Sequence, residues 1–388
     1  MASPVDTSVK WARSSMPGAP TLPRTAGALI ALLDALLVNG WGLQTASSVV
    51  VAGGVATATF PTDHAAAKHA VVLVDGVTGA LTALNGEQKV TAVAPNVIKW
   101  ATAAADGTAT GAITVKMAPA GFNKPFSGTN LAAYKSAHPA AHGQYLRIND
   151  TTANYARAVG YENMTAISTG TGLFPSAAQL NGGYYWGKDE DPAGTGNAPY
   201  LFASDGRTFY LCVQSSFNYY SGNARAHQAL VFGDLVPESP GGDPFATVIA
   251  GGVDTNWAVN GGGTYMWDYM SPDYMVAVPR GVSGAGTAVR GATNCDLNLG
   301  VLPDLPNPIT GAIPMGRVLY HDTVTSFPRA SFPGVQFGPC PSAERLIDAH
   351  AILDMPDGRS FVSTFCSTGV NANSSLKAVF IDITGPWR

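Results

Sequence analysis

Val49-Val50-Val51-Ala52-Gly53-Gly54-Val55-Ala56-Thr57-Ala58-Thr59-Phe60 decides the fold class of this chain. β-Branched residues suit a pleated, half-buried surface, and a Gly-Gly step supplies the positive φ values of a tight turn, so the stretch reads as a β-hairpin. The same grammar extends outward. Ala70 to Val74, Lys89 to Val93, Val97 to Ala101 and Ala112 to Lys116 read as short strands, punctuated by Asp75-Gly76, Asn85-Gly86 and Asp106-Gly107. Five or six strands over about 75 residues predict a small β-barrel or sandwich.

Upstream, Leu29, Leu32, Leu33, Leu36 and Leu37 fall on one face at helical spacing, in a helix expected over Ala26 to Val38. Thr25 is placed to cap it and Asn39-Gly40 to stop it. Before the helix, Pro4, Pro17, Pro20 and Pro23 break regular hydrogen bonding. They predict an extended assembly arm carrying Trp11, Met16, Pro17 and Pro20, of the kind that lies on a neighbouring subunit.

Downstream, strand-like runs alternate with long Gly/Pro loops. Gln144 to Asn149, Ala156 to Tyr161, Gly183 to Trp186, Pro199 to Ala203, Thr208 to Gln214 and Ala229 to Phe232 are the first of them. Met275 to Val278, His350 to Asp354, Ser360 to Thr364 and Leu376 to Ile383 follow, and short helices are expected at Thr165 and Pro175 to Gln179. The fold class is therefore mainly β. It comprises an N-terminal arm and one helix (1–42), a small inserted β-barrel or sandwich module (43–119), and a larger β-sandwich-like domain with long loops (120–388).

Charged residues make up 12 % of the 388, against about 25 % in an ordinary globular protein. Such a surface is either neutral and polar or covered by other chains, and a subunit of an assembly fits the second case. The net charge is −4 with no Lys/Arg run, which argues against a nucleic-acid partner. Cys212, Cys295, Cys340 and Cys366 are widely spaced and form no C-x-x-C pair; buried thiols made in a reducing cytoplasm are the expectation, with two disulfides as the alternative. No signal peptide is read at the N-terminus, and Ala26 to Val38 is too short for a membrane anchor.

The standard catalytic patterns are missing: there is no G-x-S-x-G elbow and no H-E-x-x-H. The His64/His69 pair has the wrong spacing for one helical face, and Pro139 interrupts His138/His142. Gly284-Ala-Gly286 lacks the Lys-Ser/Thr and helix of a phosphate cradle. Asp189-Glu190-Asp191 reads as a solvated loop tip, since glycoside hydrolysis needs carboxylates that face each other across the sugar. No catalytic, cofactor or metal residues are expected. Aromatic density is the remaining signal. Tyr184, Tyr185, Trp186, Tyr219, Tyr220 and Trp267 are candidate interface or ligand aromatics, with a sheet core as the competing reading.

Several stretches resemble a family of bacteriophage virion-associated proteins of tail or baseplate type. They are Lys10-Trp11 through Pro20, Thr25 through Gly40, Leu84-Asn85-Gly86, Asp106 through Gly111, Lys124 through Asn130, Tyr145-Leu146-Arg147, Val159 through Glu162 and Asp382 through Arg388. The likeness covers about residues 8–215 and the last few residues, and is weak between about 220 and 375. It implies a structural virion component of the tail, baseplate or fibre-attachment region, assembled in the host cytoplasm. Its partners would be other virion proteins and copies of itself in a trimer or hexameric ring. A host-surface carbohydrate-binding protein and a capsid decoration or head-fibre protein are the alternatives.

Overall fold

The computed structural model describes residues 3–188, 196–214, 228–252, 275–280, 289–295, 315–322, 327–338, 350–367 and 376–388. The chain is mainly β, with antiparallel sheets of thirteen, eight and six strands in a β-sandwich-like arrangement.

All strands of the eight-stranded sheet come from one contiguous segment. Its order is Trp41–Thr45, Thr114–Met117, Val71–Asp75, Gly86–Ala94, Val97–Ala101, Val55–Thr59, Ser48–Ala52 and Gly107–Thr108. The strand Gly86–Ala94 pairs with Val71–Asp75 through its first half and with Val97–Ala101 through its second, across a register shift between Val90 and Ala92. A strand shared in this way turns the sheet's corner. Val49, Val51, Ala56, Ala58, Ile98 and Trp100 then meet Val72, Val74 and Val115 in one interior. The quoted hairpin is present, with Gly53 and Gly54 at φ 58 and 78 and Val50 opposite Thr57. A 3-10 helix, Gly79–Leu84, buries Leu81 and Leu84 just before the Asn85-Gly86 turn.

The six-stranded sheet runs Phe122–Gly128, Leu131–Ser136, Tyr145–Asn149, Tyr155–Ala166 and Thr169–Phe174, with Tyr184–Gly187 also on Tyr155–Ala166. Thr165 lies in its longest strand and 175–179 forms a turn, so neither short helix expected there forms. The sheet's inner face packs on the largest sheet at Phe209, which meets Phe122 edge-on at 5.8 Å and Trp186 at 6.1 Å.

The thirteen-stranded sheet begins at Lys10–Arg13 and continues through Tyr200–Ser204, Thr208–Val213, Gln228–Asp234 and Thr247–Ala250. It ends with Pro328–Gly338, Leu376–Asp382, Ser360–Ser367 and the short edge Ile352–Asp354. The N-terminal segment is therefore not a free arm. Trp11 and Met16 are buried in this chain's own core, and Trp11 pairs with Ala203. The prolines flank a four-residue strand without entering it, which is why they fail to exclude one.

The helix differs from expectation at its start. It is α-helical over Ala28–Leu33 and widens to a π-helix over Asp34–Asn39, with Leu29, Leu32, Leu33, Leu36 and Leu37 all buried. Thr25 gives no side-chain cap. The residue before the helix is Gly27, left-handed at φ 81, and the orphan amides of Leu29 and Ile30 donate to Asp150 Oδ2 at 2.8 and 3.2 Å. Asp150 Oδ1 in turn accepts from Lys188 Nζ at 2.5 Å, and both side chains are fully buried. The ammonium's other two bonds go to the carbonyls of Thr25 and Thr152, at 2.6 and 2.7 Å.

Candidate functional site

Two clusters of titratable side chains are built by the junctions between sheets. In the first, His69 of the segment before Val71–Asp75 meets Asp354 and Ser360 of the largest sheet's edge. Ser360 Oγ donates to Asp354 Oδ1 at 2.7 Å, His69 Nε2 lies 2.9 Å from that same oxygen, and Lys68 Nζ holds Oδ2 at 2.7 Å. Ser360 Oγ is also 3.3 Å from His69 Nε2. The residue types are those of acyl transfer, but the wiring is not. A working triad places hydroxyl and carboxylate on opposite ring nitrogens, so that the base takes the hydroxyl proton. Here both meet at Nε2 and the hydroxyl proton is spent on the carboxylate. The cluster acts as a clasp between the Trp41–Met117 sheet and the C-terminal strands. Lys89, buried in the same junction, adds bonds to the carbonyls of Ile383 and Thr384 at 2.5 and 2.9 Å, and burial pulls its pKa down to about 8.

The second cluster surrounds Asp234 at the end of Gln228–Asp234. Its carboxylate accepts the His142 backbone amide at 2.8 Å and the Thr247 hydroxyl at 2.8 Å, and lies 3.3 Å from both His142 Nδ1 and Arg207. Arg388 closes the network through Asp205 Oδ2 at 2.8 Å and the Thr208 hydroxyl at 2.9 Å. It fastens residues from both ends of the large domain.

Both histidines carry a pH dependence. Burial holds each below 6.5, against the pull of Asp354 on His69 and of Asp234 on His142; Lys68 and Lys89 at the first, Arg207 and Arg388 at the second, act in the same direction as burial. The unfolded chain therefore binds protons before the folded one does, and stability is full above 6.5 and falls as pH drops below it. Asp354, held down to about 2 chiefly by Lys68 and then Ser360, adds a second loss as pH falls below its ordinary 3.8. Thermal melts from about pH 7 to about pH 5 should show a falling midpoint, and His69→Gln with His142→Gln should flatten that step. A midpoint constant over this range in the parent chain contradicts the assignment.

The aromatics singled out from sequence separate. Tyr184 and Trp186 are core residues: Trp186 is fully buried and donates from Nε1 to the Ala250 carbonyl at 2.8 Å. They are not a ligand platform, because alternation along Tyr184–Gly187 turns them inward. Tyr185 faces outward. Tyr219, Tyr220 and Trp267 lie outside the described residues, as do Asp189-Glu190-Asp191, Gly284 and Cys340. Of the arm residues, Pro17 is exposed and Pro20 half-buried, with the Pro20 carbonyl accepting from the Tyr200 hydroxyl at 2.8 Å. Cys212 is a buried free thiol whose pKa burial pushes up to about 12, which leaves it inert.

Tyr185 belongs to a surface that the sequence reading passed over. On the outward face of the six-stranded sheet, the register aligns Lys135, Tyr145, Tyr161 and Leu173 in one cross-strand row. A second row holds Phe126 and Arg147 with the buried Ala133 and Val159, and a third Asn149, Arg157 and Tyr185. Phe126 stacks beside Tyr145 at 6.2 Å, Lys135 Nζ sits 4.6 Å from the Tyr145 centroid, and the Arg157 guanidinium lies 3.8 Å from that of Tyr185. Arg147 Nε reaches the Ile167 carbonyl at 2.8 Å, which brings the tip of the 155–174 hairpin to the rim of this face. The signal was present as alternation in Tyr145-Leu146-Arg147-Ile148-Asn149 and Tyr155-Ala156-Arg157-Ala158-Val159, but it needs the strand order to become a surface.

No protein-family model and no curated protein sequence matches the chain. Among the described residues, no group of three or more His, Cys, Asp or Glu side chains is placed to hold a metal ion, and no helix is long and apolar enough to cross a membrane.

Proposed function

We propose that this chain is a non-enzymatic structural component of a tailed bacteriophage particle, in the tail, baseplate or fibre-attachment region. The observation that carries this reading is where apolar surface is left open. Among the described residues the exposed large hydrophobics are Leu43 (65 %), Val50 (40 %), Val55 (38 %), Val93 (44 %) and Phe327 (75 %), and four of these five belong to the Trp41–Met117 sheet. An isolated exposed valine needs no explanation, but a group on one small module of a sparsely charged chain favours a surface covered by another subunit. The chain's ionisable side chains support the same reading. Lys89 and the His69 cluster are consumed in fastening one sheet to another, and Lys188 and Arg388 in fastening loops and the C-terminus, as a rigid building block requires. The resemblance over residues 8–215 names the kind of particle.

Mass spectrometry of purified virions tests this reading: the chain should be present at a fixed multiple of the portal protein. Absence from particles ends the proposal, and a copy number that follows the major capsid protein transfers it to the head.

A further inference from the structure

The outward face of the six-stranded sheet stands outside the clasps described above; Arg147 donates there from Nε to the Ile167 carbonyl and Arg157 from Nη2 to those of Asn181 and Gly183, which leaves Arg147 its two terminal nitrogens and Arg157 its Nη1 for an anion. We infer that it is a binding surface for an acidic polysaccharide, with Tyr161 as the stacking platform and Lys135, Arg147 and Arg157 as the anion-reading cations. This goes beyond the assembly role and does not depend on it.

Three observations lead there. First, the charge on the face is one-sided. The three cations lie on the outward rows with no Asp or Glu among the row residues, in a chain whose Asp and Glu outnumber its Lys and Arg by 26 to 22. Elsewhere Lys10, Lys68, Lys124, Lys188, Arg280 and Arg359 are ion-paired, whereas none of the ion pairs among the described residues engages Lys135, Arg147 or Arg157. Second, the register sets the cations on a diagonal across three adjacent strands, because Lys135 faces Tyr145 and Arg157 faces Asn149, each two residues along from Arg147. Diagonal neighbours on a sheet are about 7–8 Å apart along the backbone, so three positive side chains share one patch that an anionic chain can span. Third, aromatic rings accompany the cations: Lys135 lies over Tyr145 and Arg157 over Tyr185, and in the row of Lys135 and Tyr145 the half-buried Tyr161 offers an apolar face for sugar C–H groups and a hydroxyl for sugar oxygens.

A sugar chain fits this spacing better than a nucleic acid does. Duplex DNA carries a charge about every 1.7 Å and is held by many phosphate contacts, which three cations on a chain of net charge −4 do not supply. A polysaccharide with one acid per sugar or per repeat matches sparse cations beside a stacking ring.

A glycan array carrying uronate, sialate and phosphate-bearing glycans beside their neutral counterparts, with poly(dT) spotted as a nucleic-acid comparison, tests this on the full chain. Retention of an acidic glycan is expected, weakening with salt, and about tenfold weaker for Lys135→Glu and for Tyr161→Ala. Lys135→Glu changes a half-exposed amine and serves if Tyr161→Ala does not fold, as judged by its thermal melt. No preference for acidic over neutral glycans overturns the inference, as does binding that both folded variants retain. Stronger retention on poly(dT) than on any glycan replaces it with a nucleic-acid surface. Incorporation of the variants into virions reads the assembly role separately: it stays normal if only the glycan inference fails.

Discussion

Lys188→Met is expected to cost about 3–5 kcal/mol of unfolding free energy, among the largest losses for any single side chain here. The ammonium has three protons and three acceptors: the fully buried Asp150 carboxylate and the part-buried carbonyls of Thr25 and Thr152. Methionine matches the stem in volume but removes the donor to Asp150 Oδ1 and to both carbonyls. The largest share comes from Asp150. Burial already holds its pKa above the ordinary range and that of Lys188 below, while their mutual contact opposes both shifts. Without the ammonium, the carboxylate must either stay charged and unpaired or take up a proton. Protonation would weaken its grip on the Leu29 and Ile30 amides, so damage spreads to the helix start. Urea denaturation of the parent, Lys188→Met, Asp150→Asn and the double variant measures the coupling. The double variant should lose less than the two single losses combined, because each single change strands the other partner. A Lys188→Met loss under about 1 kcal/mol contradicts the buried pair.

That pair also marks the limit of what sequence reading reaches. Hairpins are encoded locally. Gly53-Gly54 accepts positive φ, Val49 and Val51 alternate with Val50, and the strand Val97–Ala101 falls where its composition places it. Turn chemistry and period-two burial require only neighbours in sequence, so six of the eight strands of the Trp41–Met117 sheet were legible to within about three residues, while Trp41–Thr45 and Gly107–Thr108 were not. The helix was legible from its leucine stripe, but its cap was not. Thr25 is the nearest capping side chain in sequence, yet the cap comes from Asp150, which lies beside Gly27 only after Leu131–Ser136 and Tyr145–Asn149 have paired. The clasp of His69 with Asp354 and Ser360 is equally invisible, since its members are more than 280 residues apart. The same holds for the outward face. Its tyrosines and cations alternate visibly along Tyr145–Asn149 and Tyr155–Ala166, but only the register of six strands makes them rows. The aromatic density at Tyr184 and Trp186 misled for the complementary reason: alternation says that one parity is buried without saying which.

Removing residues 1–20 should abolish folding of the isolated chain rather than merely weaken its assembly. Prolines at 4, 17 and 20 suggest a dispensable extension, but the structure gives this segment three duties. Lys10–Arg13 is the strand that covers Tyr200–Ser204, so its loss bares a fully buried strand's backbone as a sheet edge. Trp11 and Met16 are core side chains at 1 % and 5 % exposure. Large-to-small changes at such sites cost about 3–5 kcal/mol for Trp and about 2–5 for Met. The segment also supplies acceptors to Tyr200, whose amide donates to Ser14 Oγ at 3.1 Å and whose hydroxyl donates to the Pro20 carbonyl. Against a typical total stability of about 5–15 kcal/mol, these losses together leave little or nothing. Trp11→Ala alone is the graded version, expected to lose about 3–5 kcal/mol in urea denaturation while leaving the far edge at Ile352–Asp354 unchanged in the native state. Circular dichroism and size-exclusion chromatography of the truncated chain distinguish the two roles. A monodisperse product that melts at the parent's temperature would restore the free arm, and with it a surface for a neighbouring subunit. Aggregation or loss of β signal places Trp11 where the strand pairing puts it, inside its own chain's core.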